Sequence, residues 1–240
     1  MLEFKRVQKK FGALRAINDL SMHIKEREIL GLIGPNGAGK TTVVNSISGV
    51  FPIDSGEIEF EGKSINILPS HARWNLGIAR TFQAVNLCPT LSVKDNILLG
   101  RVGKDGTIKQ LPAHIMEFAK LSDLYEKLDT EITKVNLFDR KMTELLRCLI
   151  SEPRIILVDE LVAGLTDREQ DQMYEFLLRI NEKGITLLVI EHIMRFVMKI
   201  CKRIVVMHFG QKLAEGDPAS IARNTDVIEV YLGGGIYDRN

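Results

Sequence analysis

Cysteine is scarce in this chain: three residues, Cys88, Cys148 and Cys201, lie far apart in 240. They match no metal-ligand spacing, and the odd count argues against a disulfide framework. Structural thiols in a reducing compartment are expected. Long apolar runs are missing too. Spanning a bilayer takes about 20 residues, whereas Ile155–Val158 and Ile185–Ile190 are short, end in acids and suit buried parallel strands. The N-terminus has no apolar signal core, so export is not expected and any membrane role runs through a partner. Charge imbalance is missing as well: the net charge of +1 and the lack of a basic run give no reason to invoke nucleic acid. No repeat, low-complexity tract or coiled-coil heptad occurs. What remains is a chain 45% apolar, enough for a real core in one large or two small domains.

Against that background one segment stands out. Gly34, Pro35, Asn36, Gly37, Ala38, Gly39, Lys40 and Thr41, continued by Thr42, have the full spacing of a nucleotide-phosphate loop. The glycines let backbone N–H groups converge on phosphate oxygens. Lys40 places a point charge near the β- and γ-phosphates, and Thr41 offers a hydroxyl to Mg²⁺. The flanks agree. Glu28–Gly34 suits a buried strand, and Thr41–Ser48 suits a helix whose N-terminus faces the phosphates.

Residues 1–25 alternate around a turn at Phe11-Gly12 and predict two antiparallel strands. Ile53–Ile67 reads as a hairpin, Pro69–Trp74 as a short helix and Gly77–Phe82 as a strand. Residues 92–150 are mostly helical, with runs at 93–100, 111–128 and 139–150 and a loop at Gly103–Thr107. Then strands at 155–160, 185–190 and 203–208 alternate with helices at Asp167–Lys183 and His192–Lys199. A turn at Gly210-Gln211, a strand at Lys212–Glu215 and a helical tail at Pro218–Leu232 close the chain. The expected class is α/β with a parallel sheet. The expected division is a nucleotide-binding core with an antiparallel β subdomain (1–85 and 151–217), a helical subdomain (86–150) and a helical tail (218–240).

Five further side chains gain meaning from the loop. The strand Ile155–Glu160 ends in two acids at its carboxyl end, where ligands sit in open parallel sheets. Asp159 suits water-mediated Mg²⁺ contact, and Glu160 suits polarising an attacking water. Gln83 follows a short strand and suits contact with Mg²⁺ and water, with a hinge there coupling nucleotide to movement of the helical part. His192 is placed at the start of a helix, to bond a γ-phosphate and sense its loss. Phe11, in the N-terminal turn, suits stacking on adenine.

Together these features resemble the ATP-binding subunits of ABC transporters. Phe11, Gly34–Thr42, Gln83, Ile156–Glu160, the Ala163–Thr166 turn and His192 occur in that family's order, and the match covers nearly the whole chain. GIARTFQAVNL, LSVKDNILLG, VIEH and VIEVYLGG look like the subunits serving branched-chain amino acid importers. The resemblance implies a P-loop NTPase fold and a cytoplasmic Mg-ATPase, peripheral on the inner face of the membrane. It also implies a second ATPase subunit, transmembrane permease subunits and, indirectly, a solute-binding protein. Two alternatives stay open: an ATP-binding regulatory subunit with little turnover, and a lipid or lipopolysaccharide exporter ATPase.

One element departs from the pattern. In the family a glycine-bearing signature loop precedes a helix matched here by Lys141–Ile150, with Glu144 and Arg147 in register. In its place stands Val135-Asn136-Leu137-Phe138-Asp139. Leu137 and Phe138 hold the glycine positions, and their bulk is expected to block close backbone approach to a phosphate. Leu161 stands where the family usually has proline. Few residues lie between Arg101 and His114, so the helical insertion is short for these subunits.

Overall fold

A computed structural model describes residues 1–102 and 110–233. The expected loop at Gly103–Thr107 and the last residues of the tail lie outside the described residues. The chain forms two compact units, Met1–Arg73 with Thr186–Asn240, and Trp74–Ile185.

In the first unit, β1 (Leu2–Phe11) and β2 (Leu14–Ile24) pair antiparallel about the Phe11-Gly12 turn, and β4 (Ser55–Phe60) and β5 (Lys63–Ser64) complete a sheet of order β2-β1-β4-β5. Alternation does the work here: Leu2, Phe4, Val7, Leu20, Met22, Ile58 and Phe60 are buried while their neighbours largely face water. The unit's other strands are β3 (Ile29–Ile33), β8 (Thr186–Ile190), β9 (Arg203–His208) and β10 (Gln211–Gly216). They lie in the order β10-β9-β3-β8, with β3 parallel to both neighbours and β10 antiparallel. β3 and β8 are buried at every position, which is why they read as unbroken apolar runs.

Helix α1 (Lys40–Ser48) follows β3 directly, and α2 (Ser70–Asn75) starts at the unit's edge. A buried guanidinium fixes the far end of α1. Arg73 donates to the carbonyls of Ser46 and Ile47 in its last turn, and to Leu68 and Asn66. No carboxylate takes part in those bonds, so the cation answers the negative end of the helix. The tail is two helices, α8 (Pro218–Arg223) and α9 (Thr225–Gly233), separated by Asn224, whose side chain caps the second.

In the second unit β6 (Ile78–Arg80) runs parallel to β7 (Ile155–Asp159). Around them lie α3 (Val93–Leu98), α4 (Ala113–Leu121), α5 (Leu137–Leu149) and α6 (Asp167–Glu182). The expected helix over 111–128 breaks at Ser122-Asp123, where Asp123 adopts a positive φ of 56° before a short 3₁₀ turn. α5 is buried around most of its circumference. Its polar residues are paired inside: Asp139 with Lys127 at 2.8 Å, and Lys141 on the carbonyls of Leu161 and Ala163 at 2.6 Å each. Among the described residues no helix is long and apolar enough to cross a membrane.

Candidate nucleotide site

The first unit holds the loop. Gly34 has φ +150°, and a Cβ there would lie 2.2 Å from the Met207 carbonyl oxygen; Gly39 has φ +103° and would meet the Ala16 carbonyl oxygen at 2.2 Å. Backbone is packed against backbone at both ends, so no other residue fits. Between them Pro35, Asn36, Gly37 and Ala38 form the bend, with the Ala38 amide donating to the Pro35 carbonyl at 3.1 Å. Lys40 folds back over it, its ammonium donating to the carbonyls of Gly34 (2.6 Å) and Pro35 (3.0 Å). The N-cap of α1 is Gly39, with no side-chain acceptor on the first-turn amides. That leaves an anion site formed by amides, with a cation above it. Thr41 is exposed and Thr42 half-buried just inside the helix.

Phe11 is exposed and meets Phe51 edge-on at 5.1 Å, with Lys9 5.4 Å from both rings. His192 is exposed in a bend after β8, two residues before α7 (Met194–Ile200) starts. The expected helix start at His192 is therefore displaced: Ile193 is the N-cap.

The second unit holds the acids. Asp159 ends β7, and Arg80 at the end of β6 donates to its Oδ2 at 2.8 Å. The Asp159 amide donates to the Thr81 hydroxyl at 3.1 Å. Glu160 follows with a positive φ of 47°, a left-handed conformation costing a non-glycine residue about 1 kcal/mol. The Gln83 side-chain amide donates to Glu160 Oε2 at 2.5 Å, so these two predicted residues are brought together. With its nitrogen used in this way, Gln83 keeps its carbonyl oxygen for another partner.

The segment leading to Gln83 is held from its other side by a group the sequence reading noted only for its register. Glu144, on α5, accepts the Phe82 amide at 3.1 Å and lies 3.4 Å from Arg147, which itself donates to the Asn86 carbonyl at 2.6 Å. Burial pushes the Glu144 carboxyl up to about 7 despite Arg147 and the Phe82 amide. Arg80 went unassigned; its signal was a lone cation ending a short apolar strand, matching an acid that ends another.

At Val135–Asp139, Asn136 caps α5 by accepting the Asp139 amide at 2.8 Å. The ring of Phe138 turns inward. It is 7% exposed and lines a cavity of about 660 Å³ with Met142 and Phe176; Leu137, 43% exposed, is the side chain left outside. Cys148 and Cys201 are buried free thiols, and burial pushes both up to about 12.

The comparisons fit this geometry. A family described as "ABC transporter" matches residues 17–163, and one described as "Branched-chain amino acid ATP-binding cassette transporter" matches residues 211–237. The chain is 33% identical to the high-affinity branched-chain amino acid transport ATP-binding protein BraF of Pseudomonas aeruginosa, covering 97% of this chain and 98% of BraF. It is 35% identical to LivG of Salmonella typhimurium, which bears the same description, over 93% and 94% of the two chains. Among solved structures, a nucleotide-free ATP-binding cassette from an ABC transporter superposes with a TM-score of 0.87 at 27% identity, covering 96% of this chain and 98% of that one. A cassette in its ADP conformation gives 0.86 at 27% identity, covering 97% and 98%.

Proposed function

The chain belongs to the ABC transporter ATP-binding family, and from that membership we propose that it is the ATP-hydrolysing subunit of a branched-chain amino acid importer. The observation that carries the nucleotide chemistry is the Gly34–Lys40 loop: two glycines that admit no Cβ, open first-turn amides and an ammonium folded over them. The amino acid assignment is supported by the branched-chain amino acid transport named for its relatives.

Residues Gly34–Thr42 cradle the triphosphate, and Lys40 exchanges its two loop carbonyls for phosphate oxygens as charge builds on the leaving group. Thr41 and the carbonyl oxygen of Gln83 would hold Mg²⁺, with Asp159 reaching it through water, and the ion would neutralise phosphate oxygens. That donor set fits an ion that retains waters and substrate phosphates; among the described residues no cluster of three His, Cys, Asp or Glu forms a protein cage. Glu160, oriented by the Gln83 amide, takes a proton from the attacking water. His192 senses the γ-phosphate, and Phe11 stacks on the adenine.

The partners are a second, different ATPase subunit, permease subunits and, through them, a solute-binding protein; the subunit sits peripherally on the inner face of the membrane. A groove of about 330 Å³ lined by Gln83, Val85, Leu87, Ile132 and Leu137 suits an apolar permease segment. The alternative, an ATP clamp with little turnover, is favoured by Val135–Asp139 and opposed by the Gln83–Glu160 contact. Calorimetry with Mg-ATP tests the core of the reading. Binding is expected for the isolated chain, weakened about 100-fold or more by Lys40→Ala. In the assembled importer Glu160→Gln should bind ATP normally and slow turnover by about 10² or more. No heat at millimolar Mg-ATP would overturn it.

A further inference from the structure

Two short strands deliver opposite charges to one point. β6 ends in Arg80 and its parallel neighbour β7 ends in Asp159, with Arg80 in register with Leu157. The ion pair is 2.8 Å long, and its side chains are only 12% and 7% exposed. The guanidinium takes Oδ2; among the described residues no donor reaches Oδ1. The ring of Phe82 lies 5.2 Å from the guanidinium carbon and backs it. Downstream, Thr81 accepts the Asp159 amide and Gln83 donates to Glu160. Three side-chain bonds thus join 80–83 to 159–160.

A carboxylate meant for a divalent cation is an unexpected place for a permanent monovalent one. Arg80 does two things there, and they act in opposite directions. Its charge reduces the attraction Asp159 exerts on an incoming dication. Its N–H bond to Oδ2, beside the Asp159 amide held by the Thr81 hydroxyl, restrains the carboxylate and leaves Oδ1 as the oxygen that can face another group. We propose that Arg80 is a positioning residue of the ATPase reaction, holding Asp159 so that a single oriented oxygen faces the hydrated Mg²⁺ of bound ATP, at the cost of weaker Mg²⁺ affinity.

The proposal rests on the reading of Asp159 as the Mg²⁺-facing acid. A fluorescent ATP analogue bound to the full-length chain is titrated with Mg²⁺, and turnover is measured separately with the partner ATPase. Arg80→Met should lower the half-saturating Mg²⁺ about three- to tenfold, because the competing charge is gone. The same variant should cut turnover at saturating Mg²⁺ about tenfold, because the carboxylate is no longer oriented. Arg80→Lys keeps the charge and should hold the midpoint within about twofold while losing turnover, since a freely rotating ammonium holds Oδ2 less directionally than a guanidinium backed by the Phe82 ring. A purely structural role would raise the Mg²⁺ midpoint while cutting turnover, whereas the proposal requires the midpoint to fall as turnover falls. Should Arg80→Met fail to fold, Arg80→Gln, neutral but still a donor, must show the same lowered midpoint. A midpoint unchanged or raised in a folded neutral variant overturns the proposal. Asp159→Asn separates the two layers: it should raise the midpoint, and if it does not, both the reading of Asp159 and this proposal fall. If it does while the neutral Arg80 variants leave the midpoint alone, only the role of Arg80 falls.

Discussion

Glu144 is a carboxyl group placed where its charge is poorly served. It is fully buried, the Phe82 and Asn86 amides and a long contact from Arg147 favour its charged form only in part, and burial raises it to about 7. Because its folded pKa lies above the unfolded value near 4.5, the unfolded state releases the proton first as pH rises. Stability contributed at this site is therefore full below about 4.5, falls between 4.5 and 7, and is constant above, a loss of about 3 kcal/mol over the window. Glu144→Gln keeps an acceptor for the Phe82 amide and removes the ionisation. The variant should be more stable than the parent at pH 8 by about 1–3 kcal/mol and nearly equal to it at pH 5. Urea melts of both proteins across pH 5–8 check this; a difference independent of pH would exclude Glu144 as the titrating group. Conversely, Phe138→Ala should cost about 3–4 kcal/mol at every pH, since a ring 7% exposed is removed from the wall it shares with Met142 and Phe176.

At the scale of elements, the two ends of α1 are treated in unlike ways. Its N-terminus is left open by Gly39, while its C-terminus is closed by Arg73 reaching across from α2. Gly49 makes room for that guanidinium: a Cβ there would lie 2.8 Å from Arg73 Nε. Arg73→Met should lower stability by about 2–4 kcal/mol, because four carbonyls lose a charged donor in a buried setting. Arg73→Lys should restore little of it, since one ammonium cannot span four acceptors; a thermal melt in which Lys restored the parent value would show that charge alone suffices. Elements of this kind mark the boundary of what residue order reveals. β1, β2, β3, β7 and β9 were legible because period-2 alternation or an unbroken apolar run fixes a strand, and the loop was legible because its glycines have a stereochemical reason. The break at Asp123, the displaced start of α7 and the capping by Arg73 were not. Each depends on contacts made across many residues, or on a positive φ at a non-glycine, which no local pattern announces. The candidate site divides the same way: Lys40, Gln83 and Glu160 were named from spacing, whereas the roles of Arg80 and Glu144 needed neighbours 79 and 62 positions away.

At the scale of the molecule, the chain carries a complete phosphate loop and the proposed general base Glu160 beside an altered signature. The family resemblance implies a closed pair in which the loop half of each ATP site comes from one chain and the signature half from the other. Here the signature helix is capped by Asn136, carries Leu137 on its exposed side and turns Phe138 inward. A homodimer would present that altered end to both nucleotides, while a pair with a glycine-bearing partner would build one complete site around this chain's Lys40 and Glu160. Restoring glycine is not a clean remedy, because the ring at 138 is part of the interior. Phe138→Gly should destabilise the chain by about 4 kcal/mol without raising its own hydrolysis. The isolated chain should bind Mg-ATP yet turn over at least about 10² more slowly than an equimolar mixture with an ABC subunit whose signature is complete. Within that mixture, Glu160→Gln in this chain should remove most of the activity, whereas altering Asn136 or Leu137 in this chain should change little, since the productive site draws its signature from the partner. Rapid turnover by the chain alone, or activity in the mixture that ignores Glu160, would place the working site elsewhere and refute the asymmetric pair.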